Sequence, residues 1–116
     1  MTTKTAHDTI QTLNGQSFAQ LVLGGQGPIA VEFMSYGCGY CRAIEPILQQ
    51  VARLIEADET VFRVNIEVEP DLAAQYRIGG TPTFVTFLDG RELSRVEGPD
   101  PSEAAVMQAV TGPFTS

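Results

Sequence analysis

An α/β domain, with a mixed central sheet of four to five strands and helices on both faces, is the fold class this sequence predicts. Three observations lead there. Apolar segments of strand length alternate with helically patterned ones through the first two thirds of the chain, and such alternation builds parallel strands joined by crossover helices. Asp89-Gly90 then marks a tight hairpin, which must add antiparallel strands to that sheet. The length, 116 residues, suits one domain with a real core and leaves no room for two. No repeat, low-complexity tract or linker interrupts it. Residues 1–116 therefore read as one domain, with 1–7 and 112–116 as loose ends.

The elements follow in order. Thr9 to Leu13 is short and extended in character, and Asn14-Gly15 is a turn signal. Ser17 is placed to cap a short helix through Leu23 that buries Phe18, Leu21 and Val22, with Gly24-Gly25 as its end. After the loop Gln26-Gly27-Pro28, Ile29 to Met34 is an almost continuous apolar run, as expected of a strand buried on both faces. Ser35-Tyr36-Gly37 breaks it. From about Gly39 to Ala57 the apolar residues Ile44, Ile47, Leu48, Val51, Leu54 and Ile55 recur at helical spacing. Pro46 inside that helix removes a hydrogen bond and must kink it. Val61 to Ile66 alternates like a second strand. Pro70 opens a short helix to Tyr76, and Gly79-Gly80 ends it. Thr83 to Leu88 and Arg91 to Val96 are the two arms of the hairpin. Gly98-Pro99-Asp100-Pro101 leads into a last helix from Ser102 to Val110.

Composition removes several function classes. With 43% hydrophobic and 18% charged residues the chain has enough apolar matter to fold. No run approaches the roughly 18 apolar residues of a transmembrane helix, so no membrane partner is expected. A net charge of -7 is repelled by phosphate backbones, which disfavours nucleic acid as a partner. The 2 cysteines are too few for a disulfide-rich scaffold or a closed zinc site. The N-terminal MTTKTAHDTI is polar and lacks the apolar core of a signal peptide, and its His7 reads as a terminal residue without a role. The expected location is cytoplasmic, or periplasmic where a leader has been removed.

Chemistry concentrates in Cys38-Gly39-Tyr40-Cys41, between a buried strand and a long helix. Two intervening residues put both thiols on the first helical turn, where they can close a small disulfide ring. The helix N-terminus presents unsatisfied N–H groups and partial positive charge, so it stabilises a Cys38 thiolate. A lowered pKa makes Cys38 the nucleophile, and Cys41, one turn in, resolves the mixed disulfide. In this strand–helix context the spacing reads as a redox motif. The alternatives are half of a zinc or iron–sulfur site completed by a second chain, and an inert buried pair.

VEFMSYGCGYCRAIEPIL resembles the active-site segment of thioredoxins, and GGTPTFVTFLDG resembles their cis-proline segment, at a spacing that also fits. The resemblance runs from about Asp8 to Val110. It implies the thioredoxin fold and places Pro46 at the family's kinking proline. It makes Pro82 the cis-proline that folds its loop against the cysteines. It implies a substrate groove of Gly37, Gly39, Tyr40, Thr81, Pro82 and Gly98, with an extended substrate strand pairing to the backbone of Thr81. Glu32, inside the apolar run, matches the family's buried acid, usually an aspartate. Burial should raise its pKa and let it exchange a proton with Cys41. Arg63 matches a family lysine, and a simple Glu32–Arg63 pair, or a Glu32 that reaches solvent, is the other reading.

The departures matter as well. Met34 and Gly37 occupy the places of the family's tryptophans, and Gly39-Tyr40 replaces its Gly-Pro. Gly-Tyr between the cysteines, with Thr81 before Pro82, resembles the bacterial disulfide isomerases and implies a more oxidising pair. The expected function is thiol–disulfide exchange on protein disulfides in cell redox homeostasis. Cys38, Cys41 and Glu32 are the catalytic set, no cofactor or metal is needed, and a reductase or other thiol partner recycles a monomer. The alternatives are isomerase or oxidant activity, a non-catalytic binding module, and an iron–sulfur bridge between chains. Tyr36 is a solvent-edge aromatic or a substrate contact. Glu67, Glu69 and Asp71 form a solvated helix start.

Overall fold

The computed structural model describes residues 9–114. Its five strands are β1 (Gln11–Thr12), β2 (Pro28–Met34), β3 (Thr60–Asn65), β4 (Thr83–Leu88) and β5 (Arg91–Glu97), and they form one sheet in the order β1-β3-β2-β4-β5. β1, β3 and β2 run parallel, β4 is antiparallel to β2, and β5 is antiparallel to β4. The mixed sheet is therefore the predicted one, at the upper strand number. The hairpin between β4 and β5 turns through Asp89 and Gly90, both at positive φ (52° and 83°). A two-residue turn of that kind matches the twist of the strands it joins.

Four helices cover the sheet. They are α1 (Gly15–Phe18, continuing as a π-helical turn Ala19–Leu23), α2 (Gly39–Ile55), α3 (Pro70–Gln75) and α4 (Glu103–Thr111). Strand side chains alternate between faces, so two cores form. Ala30, Val61 and Phe84 pack with Ile44, Leu48 and Val51 of α2 and Val106, Ala109 and Val110 of α4. Val31, Phe33, Val64, Val85 and Phe87 pack on the other face with Phe18, Val22 and Leu72. Phe18 and Phe87 meet edge to face at 5.8 Å there, and Tyr76 joins them. By the same alternation Glu32 and Arg63 lie on the α2 face.

Several details differ from the sequence expectation. The cap of α1 is Asn14, whose side chain accepts from Ser17 N at 2.8 Å, while the Ser17 hydroxyl accepts from Asn14 N at 2.9 Å. The two residues form a reciprocal capping box, so Ser17 sits inside the helix. Leu21 and Leu54 are exposed although they keep helical spacing, each at the edge of its helix's apolar stripe. β3 buries Val61 through Asn65, polar members included, and Ile66 lies beyond it. Gly112–Phe114 is an ordered, half-buried 3₁₀ turn after α4, where a loose end was expected. Residues 1–7, with His7, and residues 115–116 lie outside the described residues.

Strand register also gathers three loops at one place. Phe33 of β2 lies beside Thr83 of β4, and Thr83 lies beside Glu97 of β5. The segment leaving β2, the segment entering β4 and the segment leaving β5 therefore converge at one end of the sheet. Those segments carry Cys38, Thr81-Pro82 and Gly98.

Candidate active site

Cys38 is the N-cap of α2. Its backbone is extended (φ -90°, ψ 112°), and its Sγ accepts from Cys41 N at 3.1 Å. A cysteine thus occupies a position that usually takes serine, threonine, aspartate or asparagine, and it satisfies one of the helix's orphan N–H groups. The Cys38 thiol is also within 3.5 Å of the Thr81 carbonyl, to which it donates. Cys41 is one turn further on and 2% exposed, whereas Cys38 remains partly open, and both are free thiols.

The two thiols are held apart in acidity. Burial pushes Cys38 up, but hydrogen bonds from the Cys41 thiol, the Thr81 side chain and the N–H groups of Cys41 and Tyr40 outweigh it and leave its pKa lowered. Cys41 is pushed up to about 11 by burial and by its hydrogen bond to Cys38. One thiol is therefore poised as a nucleophile and the other stays protonated until a base removes its proton.

The Thr81-Pro82 bond is cis, which lays the Thr81 carbonyl over Cys38. The Pro82 carbonyl accepts from Gly98 N at 2.9 Å, and Thr83 Oγ1 donates to the Gly80 carbonyl at 2.7 Å. Gly98 has φ +55°, and a Cβ there would stand 3.4 Å from the Tyr40 ring. The Tyr40 hydroxyl donates to the carbonyls of Gly98 (3.2 Å) and Pro99 (2.6 Å). Tyr40, Thr81, Pro82 and Gly98 thus form one hydrogen-bonded set with Cys38. A Cβ at Gly37 would meet Glu67 Oε2 at 3.7 Å and Ser35 Oγ at 3.8 Å, and one at Gly39 would meet Arg42 Nη2 at 3.7 Å, all ordinary contacts. Tyr36 stands 62% exposed, and its carbonyl accepts from Arg42 Nη1 at 2.8 Å.

Glu32 lies deeper, fully buried, with Oε2 unpartnered. Its Oε1 receives Arg63 Nε at 3.3 Å. Burial raises its pKa to about 7; Arg63 opposes that rise and Glu45 adds to it. The Glu32–Arg63 pair is therefore present, and Glu32 does not reach solvent. Sequence reasoning missed Glu45, whose two carboxylate oxygens each stand 2.5 Å from Arg63 Nη2. The available signal was its place four residues after Cys41, on the same helical face. Met34, Tyr36, Cys41, Arg42, Glu45 and Arg63 line one cavity of about 310 Å³.

Residues 9–111 match the family model described as Thioredoxin. The chain belongs to the thioredoxin family. A thioredoxin-like protein of Synechocystis sp. is 32% identical over 92 residues, 79% of this chain and 88% of that one. A thioredoxin of Mycobacterium tuberculosis is 32% identical over 82 residues, 71% of each chain. Thioredoxin 1 of Nostoc sp. is 34% identical over 85 residues, 73% of this chain and 79% of that one. Family membership and the Cys38–Cys41 pair make the protein a thiol–disulfide oxidoreductase. Among the described residues, no helix is long and apolar enough to cross a membrane.

Proposed function

We propose that this thioredoxin-family protein reduces disulfides in protein substrates. The observation that carries the reading is the split between an open, acidified Cys38 and a buried Cys41 at about 11, with Glu32 on the face that α2 covers. The Cys38 thiolate attacks one sulfur of the substrate disulfide. A Cys38–substrate bond forms, the substrate S–S bond breaks, and the first substrate thiolate leaves. The Glu32 carboxylate takes the Cys41 proton, directly or through water. The Cys41 thiolate then attacks Cys38 Sγ, the mixed disulfide breaks, and the second substrate thiolate departs and is protonated. The substrate gains two electrons, and the protein ends as the Cys38–Cys41 disulfide.

Thr81, Pro82, Gly98 and Tyr40, with Gly37 and Gly39, form the groove that receives an extended substrate strand. A reductase or other thiol donor returns the two electrons, and a reducing compartment such as the cytoplasm suits that cycle. A monomer suffices for every step.

One observation favours a second reading. Hydrogen bonds that stabilise the Cys38 thiolate also stabilise the reduced protein, which makes the pair more oxidising. Tyr40 in place of proline works in the same direction, so isomerase activity is the competing role. Equilibration in glutathione buffers with trapping of free thiols separates them. A potential near about -270 mV identifies a reductant, and one between roughly -180 and -120 mV identifies an isomerase or oxidant. Acceleration of insulin reduction by dithiothreitol is the accompanying assay, and no acceleration counts against the reductase reading.

A further inference from the structure

We propose that Glu45 is a positioning residue for the proton step, engaging Arg63 so that Glu32 does not hold the guanidinium alone and remains able to carry a proton. This role for Glu45 rests on Glu32 acting as the proton carrier.

The geometry begins with register. Glu32 and Arg63 are direct partners across β2 and β3, so one acid and one base point into the same buried layer beneath α2. Left to themselves they would form an ion pair in which Arg63 favours the Glu32 carboxylate against the cost of its burial. Glu45 changes the stoichiometry. It comes from the second turn of α2, and Arg63 Nη2 lies 2.5 Å from each of its oxygens, against 3.3 Å from Nε to Glu32. The shorter, charge-assisted contact takes the larger share of the guanidinium charge. Two carboxylates then share one cation, and Glu32, with no exposed side-chain surface, is the one left under-compensated.

Glu45 is itself held. Gln49 Nε2 donates to Glu45 Oε2 at 2.8 Å, and Gln49 Oε1 accepts from Thr9 N at 3.1 Å. The side chain is therefore fixed from the solvent side while it holds Arg63 on the inner side. The titratable and charged groups that act on Glu32 are Arg63 from β3 and Glu45 from α2; β4 contributes the uncharged Phe84. With Glu45 as the second carboxylate, burial dominates the balance at Glu32. Glu45 acts on Glu32 in two ways, by holding Arg63 and by direct like-charge repulsion.

The test is a ¹³C NMR titration of the Glu32 carboxyl in the full chain, reduced, for the wild type, E45Q and E45D. E45Q keeps the size of the side chain and removes its charge, so Arg63 is left with Glu32 as its one anionic partner. The Glu32 midpoint should fall by about one pH unit, a tenfold change in its ionisation constant. E45D, which restores the carboxylate, should bring it back toward the wild-type value. The acid limb of the pH profile for mixed-disulfide resolution should move by the same amount in E45Q. A Glu32 midpoint unchanged in E45Q overturns the proposal. Should E45Q not fold, the wild-type curve decides. Shared use of Arg63 requires the Glu32 signal to depart from a single-site curve, and a single-step curve overturns it. Because the titration needs no turnover, it still reads Glu45's hold on Arg63 if the protein reduces no disulfide, a result that would sink the functional reading by itself.

Discussion

Cys38 and Cys41 stand on the same helical turn, yet their surroundings drive their acidities in opposite directions. C41S should leave a protein that captures substrate and cannot release it, visible as a stable mixed disulfide on non-reducing gels. C38S should capture nothing and reduce no insulin. Glu32 is the proposed third member of the set, and that assignment predicts a rate. E32Q should slow resolution of the mixed disulfide on the order of 100-fold at neutral pH in stopped-flow measurements, the scale of a lost proton-transfer group. Initial attack by Cys38 should be nearly unchanged, and an equal loss in both steps would remove Glu32 from the proton path. Most of this site was legible in the residues themselves. A CxxC after a buried apolar run, a Thr-Pro after paired glycines and an acid inside an apolar strand each break a local pattern, and each break had a chemical reason. Glu45 broke none. It is a polar residue on a helix, and its partner Arg63 is 18 positions away, so only the folded register joins them.

Turns and caps govern how the elements reach their places. The hairpin joining β4 and β5 places Gly90 where a Cβ would come 2.3 Å from the Leu23 carbonyl, and its φ of +83° is unsuited to other residues. G90A should therefore destabilise the fold by about 3 kcal/mol in urea denaturation, from clash and backbone strain together. Such a loss should leave the Cys38 titration untouched, since Leu23 and Gly90 lie at the far end of β4 from Thr83. Element positions followed from apolar pattern because strands buried on two faces and amphipathic helices leave distinct periods. The failures have a common cause. Periodicity gives every apolar residue on a stripe the same standing, so the stripe edges at Leu21 and Leu54 were indistinguishable from its centre. Asn14 looked like a turn residue because turns and helix caps draw on the same side-chain chemistry.

Across the whole molecule, buried carboxyls set the response to pH. Glu59, at the end of the sheet away from the cysteines, is 6% exposed, and its Oε2 has no partner. Burial raises it to about 7, as burial does chiefly for Glu32. A carboxyl raised in the folded state binds more protons there than in the unfolded chain. Stability is therefore full below the ordinary value near 4.5 and falls as pH rises toward 7. E59Q should flatten that fall and add on the order of 2 kcal/mol at pH 7 in chemical denaturation, with little change at pH 4. An unaltered slope of stability against pH would deny Glu59 this part. The Tyr40 tether has a different consequence. The chain contains no tryptophan and only 3 tyrosines; Tyr36 lies two residues before Cys38 and Tyr40 lies between the two cysteines. Tyr36 faces water, while Tyr40 donates its hydroxyl to two backbone carbonyls. The near-ultraviolet absorption and emission of the protein therefore arise largely at its reactive end. Closure of the disulfide beside those rings can be followed in the unlabelled molecule by its own light.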